Sequence, residues 1–195
     1  MTHHLDLGCG AIPRNPYKRA KLSGIDIREG LSNNPDIVIR AANLSTDPIP
    51  FETSSFDSVS AYDFLEHIPR VSLDHATSTT RFPVIELMNE VWRVLQPNGL
   101  FYAITPVFPH AKAFADPTHV NIMTSKTQRY FTGATPMGKM YGFNGQFALV
   151  RQAFIHPRGD YHPLSPSPFL RLKMIGERLT GQSSHMVWEM RAIKN

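Results

Sequence analysis

The chain has 195 residues, of which 42% are apolar and 18% charged, and its formal net charge is +4. This composition is typical of one globular domain with a sizeable core. No run approaches the roughly 18 apolar residues of a membrane span, and the polar residues 1–4 do not resemble a signal peptide. We therefore expect a cytoplasmic protein with no membrane partner, while the small positive charge allows anionic partners without requiring them.

The first predicted strand, residues 5–7, ends in a turn that contains Gly8, Cys9 and Gly10. A short apolar run is typical of a buried strand, and glycine after it lets the backbone turn sharply and approach a ligand. Ligands of doubly wound sheets bind beyond the carboxyl ends of the strands, so this turn predicts a nucleotide-like cofactor. A dinucleotide fingerprint needs a third glycine where the chain has Pro13. The single cysteine, Cys9, is interpreted as a packing residue.

The second predicted strand covers residues 23–27 and contains an acid, Asp26, near its end. A carboxylate there accepts both hydroxyls of a ribose, which any cofactor containing adenosine presents. The connection before it, residues 13–22, is broken by prolines and is expected to be a loop with one or two helical turns. These features favour an adenosine-containing ligand.

The third predicted strand, residues 36–40, is followed by Asn43 and Leu44. The amide of Asn43 offers a donor and an acceptor to an adenine edge, although an Asx turn explains the residue almost as well. A fourth strand, residues 56–61, leads into a second wall of the same crevice, where apolar side chains are interpreted as packing residues. Three polar residues of that wall need a functional explanation: Tyr62, Asp63 and His67.

Apolar residues recur at helical spacing from residue 83 to residue 96, with polar residues on the other face. A proline suits the first turn of this predicted helix, and Pro97, Asn98 and Gly99 are expected to end it before a fifth strand, residues 100–104. A helix between two short apolar strands indicates a right-handed parallel crossover.

Five blocks of sequence resemble the class I S-adenosylmethionine-dependent methyltransferases, close to the type 11 group. The blocks are Leu5-Asp6-Leu7-Gly8-Cys9-Gly10, Gly24-Ile25-Asp26-Ile27, Ile49-Pro50-Phe51 with Ser55-Phe56-Asp57, Phe64-Leu65-Glu66-His67-Ile68, and residues 86–99. The resemblance implies a Rossmann-like fold and S-adenosyl-L-methionine as cofactor. The cofactor-binding positions that it implies, together with the strand-end positions above, are Asp6, Gly8, Cys9, Gly10, Asp26, Ile27, Asn43, Leu44, Tyr62 and Asp63. The sequence departs from the family at Asn43, where an acid usually binds the adenine amino group, and it lacks the helices that normally precede the first strand.

The segment 105–144 contains prolines, glycines, histidines and aromatic residues but one plausible short helix, residues 125–131. Long loops within a compact domain are usually functional, so we expect this segment to be a lid over the substrate. Two last strands, residues 146–154 and 184–193, with a helix at 169–179 between them, complete the chain.

The fold class predicted from these elements is α/β: a Rossmann-like, doubly wound, mostly parallel seven-stranded sheet with an antiparallel edge strand, in a single domain over residues 1–195. The predicted function is transfer of a methyl group to an oxygen, nitrogen or carbon of a small-molecule acceptor. Two alternatives remain open at this point. The first is an RNA methyltransferase, and its one indication is a basic cluster (Arg14, Lys18, Arg19 and Lys21). The second is a cofactor-binding protein without turnover, and it is suggested by Asn43.

The candidate catalytic residues are His119, which is slightly preferred, and His67. An imidazole is the commonest group that takes a proton from a hydroxyl or amine, although both histidines are equally well explained by structural hydrogen bonds. The nine histidines are scattered over predicted loops without a recognised metal-binding spacing, so no metal site is predicted. The sequence predicts neither the acceptor nor the oligomeric state.

Overall fold

The structure is a computed structural model that describes residues 1–32, 34–74, 76–157 and 167–194. The strands are β1 (His3–Leu7), β2 (Lys21–Asp26), β3 (Val38–Ala41), β4 (Phe56–Tyr62), β5 (Ser72–Asp74), β6 (Thr79–Arg81), β7 (Leu95–Pro106), β8 (Phe147–Ile155) and β9 (His185–Ala192). The α-helices are α1 (Pro83–Val94), α2 (Lys112–Ala115) and α3 (Pro168–Leu179), and short 3-10 helices cover Leu65–His67, Thr127–Tyr130 and Met137–Tyr141.

Seven strands form one sheet in the order β3-β2-β1-β4-β7-β9-β8. The first five are parallel to one another, whereas β9 runs antiparallel to both β7 and β8. This confirms the predicted Rossmann-like, mostly parallel sheet, with the antiparallel strand second from the edge. The chain runs outward from β1 through β2 to β3 and then returns to β4. Ligands of open parallel sheets bind at such a reversal, beyond the carboxyl ends of the strands.

Helix α1 forms because its apolar residues recur on one face, and Pro83 occupies its first turn. Its buried residues include Leu87, Met88 and Val91, which pack into the main core beneath the sheet. The helix ends at Val94, two residues before the predicted end. The reason is that Leu95 already pairs with Phe56 in the sheet, so β7 begins there.

The predicted helix stop at residues 97–99 lies inside β7 instead of before it. The register with β4 shifts between Phe56, which pairs with Leu95, and Ser58, which pairs with Leu100. Residues 96–99 of β7 lie opposite the single residue Asp57 of β4, and Asn98 accommodates this irregularity with a φ of 63°. Turn-forming residues therefore marked a bulge rather than a loop.

The connection over residues 13–22 contains turns but no helical turn, contrary to expectation. Asn15 closes one of these turns with its side chain, because Oδ1 accepts from the backbone N–H of Arg19 and Nδ2 donates to the Arg19 carbonyl. An asparagine that binds the backbone in this way competes with helix formation. A second unpredicted feature is the hairpin β5–β6, whose three-residue strands are too short to show a periodic pattern.

The segment 105–144 is more structured than predicted. Residues 125–131 contain a 3-10 helix, Thr127–Tyr130, and the segment also contains α2 and a second 3-10 helix, Met137–Tyr141. Its later part joins the main core through Met123, Phe131 and Phe143. None of the helices in the described part of the chain has the length and apolar character needed to cross a membrane.

Candidate functional site

The glycine turn after β1 is held from below by a buried carboxylate. Gly8 and Gly10 have φ values of 63° and 60°, which are easy for glycine and strained for other residues. Asp6 accepts hydrogen bonds from the backbone N–H of Arg14, at 2.7 Å, and from the hydroxyl of Ser60, at 2.6 Å. Burial raises the pKa of Asp6 to about 6. Asp6 thus ties the turn to the neighbouring strand instead of facing the ligand.

Asp26 ties the end of β2 to the same turn. Its Oδ2 accepts from the backbone N–H of Gly10 at 2.9 Å, and its Oδ1 accepts from the backbone N–H and Nε of Arg28. Burial acts to raise the pKa of Asp26, but the hydrogen bonds from Arg28 and Gly10 outweigh it and the pKa is lowered. Nη2 of Arg28 also donates to Oδ2 at 3.4 Å, so four hydrogen bonds occupy the roughly four acceptor sites of the carboxylate. The guanidinium of Arg28 is 63% exposed, and its movement away from Asp26 would free acceptor sites for ribose hydroxyls.

A cavity of about 380 Å³ opens beside these groups, within the roughly 300–1,000 Å³ of small-molecule sites. Phe64 lines it and lies against the turn, since a Cβ on Gly8 would come within 2.5 Å of the Phe64 ring. His67 also lines the cavity. Six of the ten predicted cofactor positions line the cavity: Gly8, Asp26, Ile27, Asn43, Leu44 and Asp63.

The other four predicted positions do not line the cavity. Asp6 and Gly10 shape the turn, as described above. Cys9 is buried against Gly24 and its thiol donates to the Gly10 carbonyl, while burial raises its pKa to about 12, in keeping with a packing residue. Tyr62 lies in a separate apolar cluster with Tyr102, on the other side of the sheet, because successive side chains of a strand point to opposite faces.

Asn43 forms the Asx turn that the sequence allowed. Its Oδ1 accepts from the backbone N–H of Ser45 at 3.1 Å, and its carbonyl accepts from Thr46 and Asp47. The local turn therefore uses the acceptor atom of the side chain, although the residue still lines the cavity. The amide nitrogen, a donor, is the atom that this turn leaves for a ligand.

The two candidate catalytic histidines meet at the rim of the cavity, where their ring centres are 4.8 Å apart. His67 lines the cavity, whereas the side chain of His119 is 9% exposed. Thr118 donates to Asp116 at 2.6 Å and its oxygen lies 2.9 Å from Nδ1 of His67. Because the carboxylate accepts the hydroxyl proton, Nδ1 of His67 must be the donor to Thr118. A neutral His67 therefore presents an unprotonated Nε2.

Glu66 is the charged residue at this rim that the sequence reasoning did not select. It is 2% exposed, and its Oε2 accepts from the hydroxyl of Thr105 at 3.1 Å. Burial, and to a smaller extent the charges of Asp63 and Asp116, raise its pKa to about 8. The block Phe64-Leu65-Glu66-His67 was the signal, but nothing in the sequence showed that Glu66 turns inward toward His119.

The sequence matches the family described as "Methyltransferase domain" over residues 5–103, just over half of the chain. The chain belongs to the class I methyltransferase family. Among curated proteins, none matches it.

Solved structures of other methyltransferases share its fold. An S-adenosylmethionine-dependent methyltransferase from Mesorhizobium loti is 14% identical with a TM-score of 0.60, over 97% of this chain and 90% of that one. A chain from the Haloferax volcanii complex between the Trm112 methyltransferase activator and a methyltransferase is 15% identical with a TM-score of 0.60, over 99% and 83%. The geranyl diphosphate C-methyltransferase from Streptomyces coelicolor, solved with Mg²⁺, geranyl diphosphate and S-adenosyl-L-homocysteine, is 11% identical with a TM-score of 0.55, over 99% and 73%.

The cavity of this methyltransferase fits the family's cofactor in the region of the ribose. Asp26 lies at the end of β2, where movement of the exposed Arg28 guanidinium would free its carboxylate for a hydroxyl, and Gly8 has no side chain to obstruct the approach to the turn. Asp63 completes that side of the cavity with a left-handed φ of 44°, and its carboxylate lies 3.4 Å from Nε2 of the buried His185. Backbone strain of this kind is concentrated at functional sites.

The methyltransferase has a second cavity, of about 270 Å³. Aromatic side chains dominate its lining, with one cation and one amide: Phe82, Tyr130, Phe131, Tyr141, Arg70 and Asn121. Asn121 connects this cavity to the histidine pair, because its backbone N–H and that of Val120 both donate to the carbonyl of Glu66. Each cavity is therefore lined by a residue linked to Glu66: His67 follows it in the chain, and Asn121 donates to its carbonyl.

Proposed function

We propose that the protein transfers a methyl group from S-adenosyl-L-methionine to an oxygen, nitrogen or carbon of a small-molecule acceptor. The observation that carries the proposal is the convergence of Gly8 and Asp26 on one cavity at the reversal of the sheet. When bound, the cofactor supplies an electrophilic methyl group on a sulfonium, a good leaving group. The protein then has chiefly to hold the acceptor in line and exclude water.

Asp26 is proposed to accept the ribose hydroxyls, and Asn43 and Leu44 to border the adenine. Ile27 and Asp63 form the remaining walls with Gly8, while Asp6, Cys9, Gly10 and Tyr62 act indirectly by fixing the turn and β4. This division rests on which side chains line the cavity. Replacing Asp26 is the most informative substitution. The residue is 7% exposed, so its loss leaves the N–H groups that donate to it without an acceptor.

We place the acceptor in the aromatic cavity, because rings with a few polar groups are typical of small-molecule sites. His67 lines the first cavity, and its Nε2 is the proposed acceptor of a proton from a hydroxyl or amine. His119, being buried behind it, is proposed to act through His67 and Glu66 rather than by touching the acceptor.

The segment 105–144 is proposed as the lid of a single domain that spans residues 1–195. The part best suited to move is residues 108–120, where Phe108, Phe114 and Val120 are each at least half exposed. The later part contributes Phe131 and Phe143 to the main core and is proposed to be the fixed base of the lid.

An RNA substrate is the weaker alternative. Of the four basic residues considered for it, Arg14 stacks on Tyr62, with its guanidinium 4.6 Å from the ring centre, and Arg19 stacks on Tyr17. Arg19 also donates to Ser58. These two side chains are thus used in packing and contribute less to an RNA-binding surface. A cofactor-binding protein without turnover is the other alternative, which an acceptor screen distinguishes.

The deciding experiment is calorimetric titration of the full chain with S-adenosyl-L-methionine, S-adenosyl-L-homocysteine and NAD. We expect the first two to bind at a single site and NAD to bind much more weakly. Tight binding of NAD alone would overturn the proposal. Screening hydroxylated and amine acceptors for formation of S-adenosyl-L-homocysteine then separates an enzyme from a binding protein.

A further inference from the structure

Glu66, His67 and His119 form a compact cluster at the rim of the cofactor cavity. One potential ligand atom from each lies within 4.8 Å of the other two. Two of the residues come from the 3-10 helix after β4, and the third comes from the turn that contains Asp116 and Thr118. The fold thus brings together two imidazoles and a carboxylate from sequence positions more than fifty residues apart.

Two atoms of this cluster are buried without a hydrogen-bond partner in the described part of the chain: Oε1 of Glu66 and Nδ1 of His119. An unsatisfied buried polar atom lowers the stability of the folded protein, and more so when it is charged. Glu66 is only 2% exposed, so solvent does not provide a hydrogen-bond partner for its Oε1. A bound species between the side chains would satisfy both.

The outer contacts hold the imidazole of His67 as a metal-binding histidine is usually held. Nδ1–H of His67 donates to Thr118, which donates to Asp116, and this leaves Nε2 of His67 as the available ligand atom. Nε2 of His119 lies 4.0 Å from the other oxygen of Asp116, which is too far for a hydrogen bond, and Nδ1 of His119 is buried without a partner in the described part of the chain. Metal-bound histidines characteristically direct their second nitrogen toward a carboxylate or hydroxyl, as His67 does toward Thr118.

We propose that Glu66, His67 and His119 bind a divalent transition-metal cation of the zinc type. Two imidazoles and one carboxylate suit Zn²⁺, Co²⁺, Ni²⁺ or Fe²⁺, whereas Mg²⁺ and Ca²⁺ prefer all-oxygen sites. Tetrahedral Zn²⁺ with bonds of about 2.0–2.1 Å needs ligand atoms roughly 3.3 Å apart. The side chains therefore close by no more than about 1.5 Å from the observed separation of up to 4.8 Å.

The charge around the cluster favours a cation. The carboxylate of Asp116 lies 4.0 Å from Nε2 of His119 and accepts from Thr118, which contacts His67. A divalent ion would offset the negative charge of Glu66 and Asp116. Three protein ligands leave a fourth position open, which is characteristic of catalytic rather than structural zinc sites.

The inference goes beyond the proposed function, since metal binding requires neither cofactor nor acceptor. With an ion in place, His67 would be a ligand instead of a base, and because His67 lines the cavity the ion would lie at its edge. A hydroxyl bound there has a lowered pKa, so the ion would activate an oxygen acceptor.

The test uses the full chain without a histidine tag, treated with a chelator and then titrated with Zn²⁺ against a chromophoric chelator. Co²⁺ is used in parallel because its visible absorption reports the number of ligands. We expect one ion per chain, and affinity reduced roughly tenfold or more in His67→Gln, His119→Gln and Glu66→Gln. The matched control is His110→Gln, a histidine of the same segment outside the cluster, which should bind as the parent does.

Zn²⁺ affinity weaker than about 100 μM in the parent would overturn the proposal, as would equal affinity in His67→Gln and the parent. His67 is partly exposed, so its variant is expected to fold even where Glu66→Gln does not. Titrating the same metal-free samples with S-adenosyl-L-methionine keeps the two proposals separate. If the metal-free parent does not bind S-adenosyl-L-methionine, the proposed function is refuted, but the measured Zn²⁺ affinities still decide the metal proposal.

Discussion

The carboxylate of Asp26 accepts a hydrogen bond from the backbone N–H of Gly10 across 2.9 Å. This contact joins the end of β2 to the turn after β1, and it orients a carboxylate at the mouth of the cavity. The residue proposed to bind ribose therefore also fixes the turn that approaches the rest of the cofactor. Removing it should affect binding in two ways.

Asp26→Ala should weaken S-adenosyl-L-homocysteine binding by about 1–3 kcal/mol, because the ribose hydroxyls and Gly10 N–H lose their acceptor. Calorimetry of parent and variant measures the difference. Asp36→Ala, which removes an exposed carboxylate before β3, is the control and should bind normally. Equal affinity in the Asp26 variant and the parent would remove this residue from the cofactor site.

Gly8→Ala should be more destabilising than Gly30→Ala, although both glycines have nearly the same φ, 63° and 67°. The shared left-handed conformation costs an alanine about 1–2 kcal/mol. A Cβ at residue 8 also lies 2.5 Å from Phe64, whereas one at residue 30 has no atom within 4 Å. Urea unfolding of the two variants isolates this clash. In a Phe64→Leu background, the destabilisation by Gly8→Ala should approach that by Gly30→Ala. If the difference between the two variants stayed the same, the clash with Phe64 would not be its cause.

Residues 108–120 should exchange their amide hydrogens more slowly when cofactor and acceptor are bound. The reason is that this part of the proposed lid then becomes ordered over the two ligands. Peptides containing Phe131 and Phe143 should be protected in both states, since these residues are buried in the main core. Hydrogen exchange followed by mass spectrometry makes the comparison. Protection of residues 108–120 equal to that of β1 without any ligand would rule out the lid.

His119→Ala should lower kcat roughly tenfold or more and leave cofactor affinity nearly intact, because His119 does not line the cofactor cavity. Thr118→Val removes the hydroxyl that fixes the tautomer of His67 and should lower kcat without changing the KM for the cofactor. Steady-state kinetics with an identified acceptor provide both values, with His110→Gln as control. A normal kcat in both variants would mean that the cluster has only a structural role.

The sequence predicted the sheet, and it selected six residues that line one cavity, because both depend on local patterns. Short apolar runs mark the parallel strands, and Gly8 and Asp26 stand directly at strand ends, where neighbouring parallel strands converge. Tyr62 was chosen on its position at a strand end, and the alternation of side chains places it on the opposite face.

The polar cluster was less predictable because it depends on contacts distant in sequence. The sequence predicts both His67 and His119 as candidates, but their approach to 4.8 Å depends on the backbone hydrogen bonds from Val120 and Asn121 to the carbonyl of Glu66. The inward orientation of Glu66 follows from its contact with Thr105 on β7. Neither contact leaves a periodic signal, so an arrangement that resembles a metal site was not foreseen.

The last prediction concerns His4 and Asp6, two buried residues that both contact the hydroxyl of Ser60 beneath the glycine turn after β1. Nε2 of His4 lies 2.8 Å from Ser60 Oγ, and Ser60 donates to Asp6 at 2.6 Å. Burial, with a smaller effect of Arg19, lowers the pKa of His4 from 6.5 to about 3, whereas burial raises the pKa of Asp6 from 3.8 to about 6. The two shifts have opposite consequences for stability.

Between pH 6.5 and 3 the unfolded chain binds the His4 proton and the folded chain does not, so His4 makes the protein less stable as the pH falls. Between pH 6 and 3.8 the folded chain keeps the Asp6 proton, so Asp6 makes it more stable as the pH falls. Each slope is about 1.4 kcal/mol per pH unit, and the two nearly cancel between pH 6 and 4. Relative to the parent, His4→Gln should therefore gain about 2 kcal/mol of stability from pH 6.5 to pH 5. Asp6→Asn should lose stability relative to the parent from pH 6 to pH 4. Urea unfolding at half-unit intervals of pH measures both differences, and because other titrating groups are common to all three proteins, parallel curves would show that neither pKa is shifted.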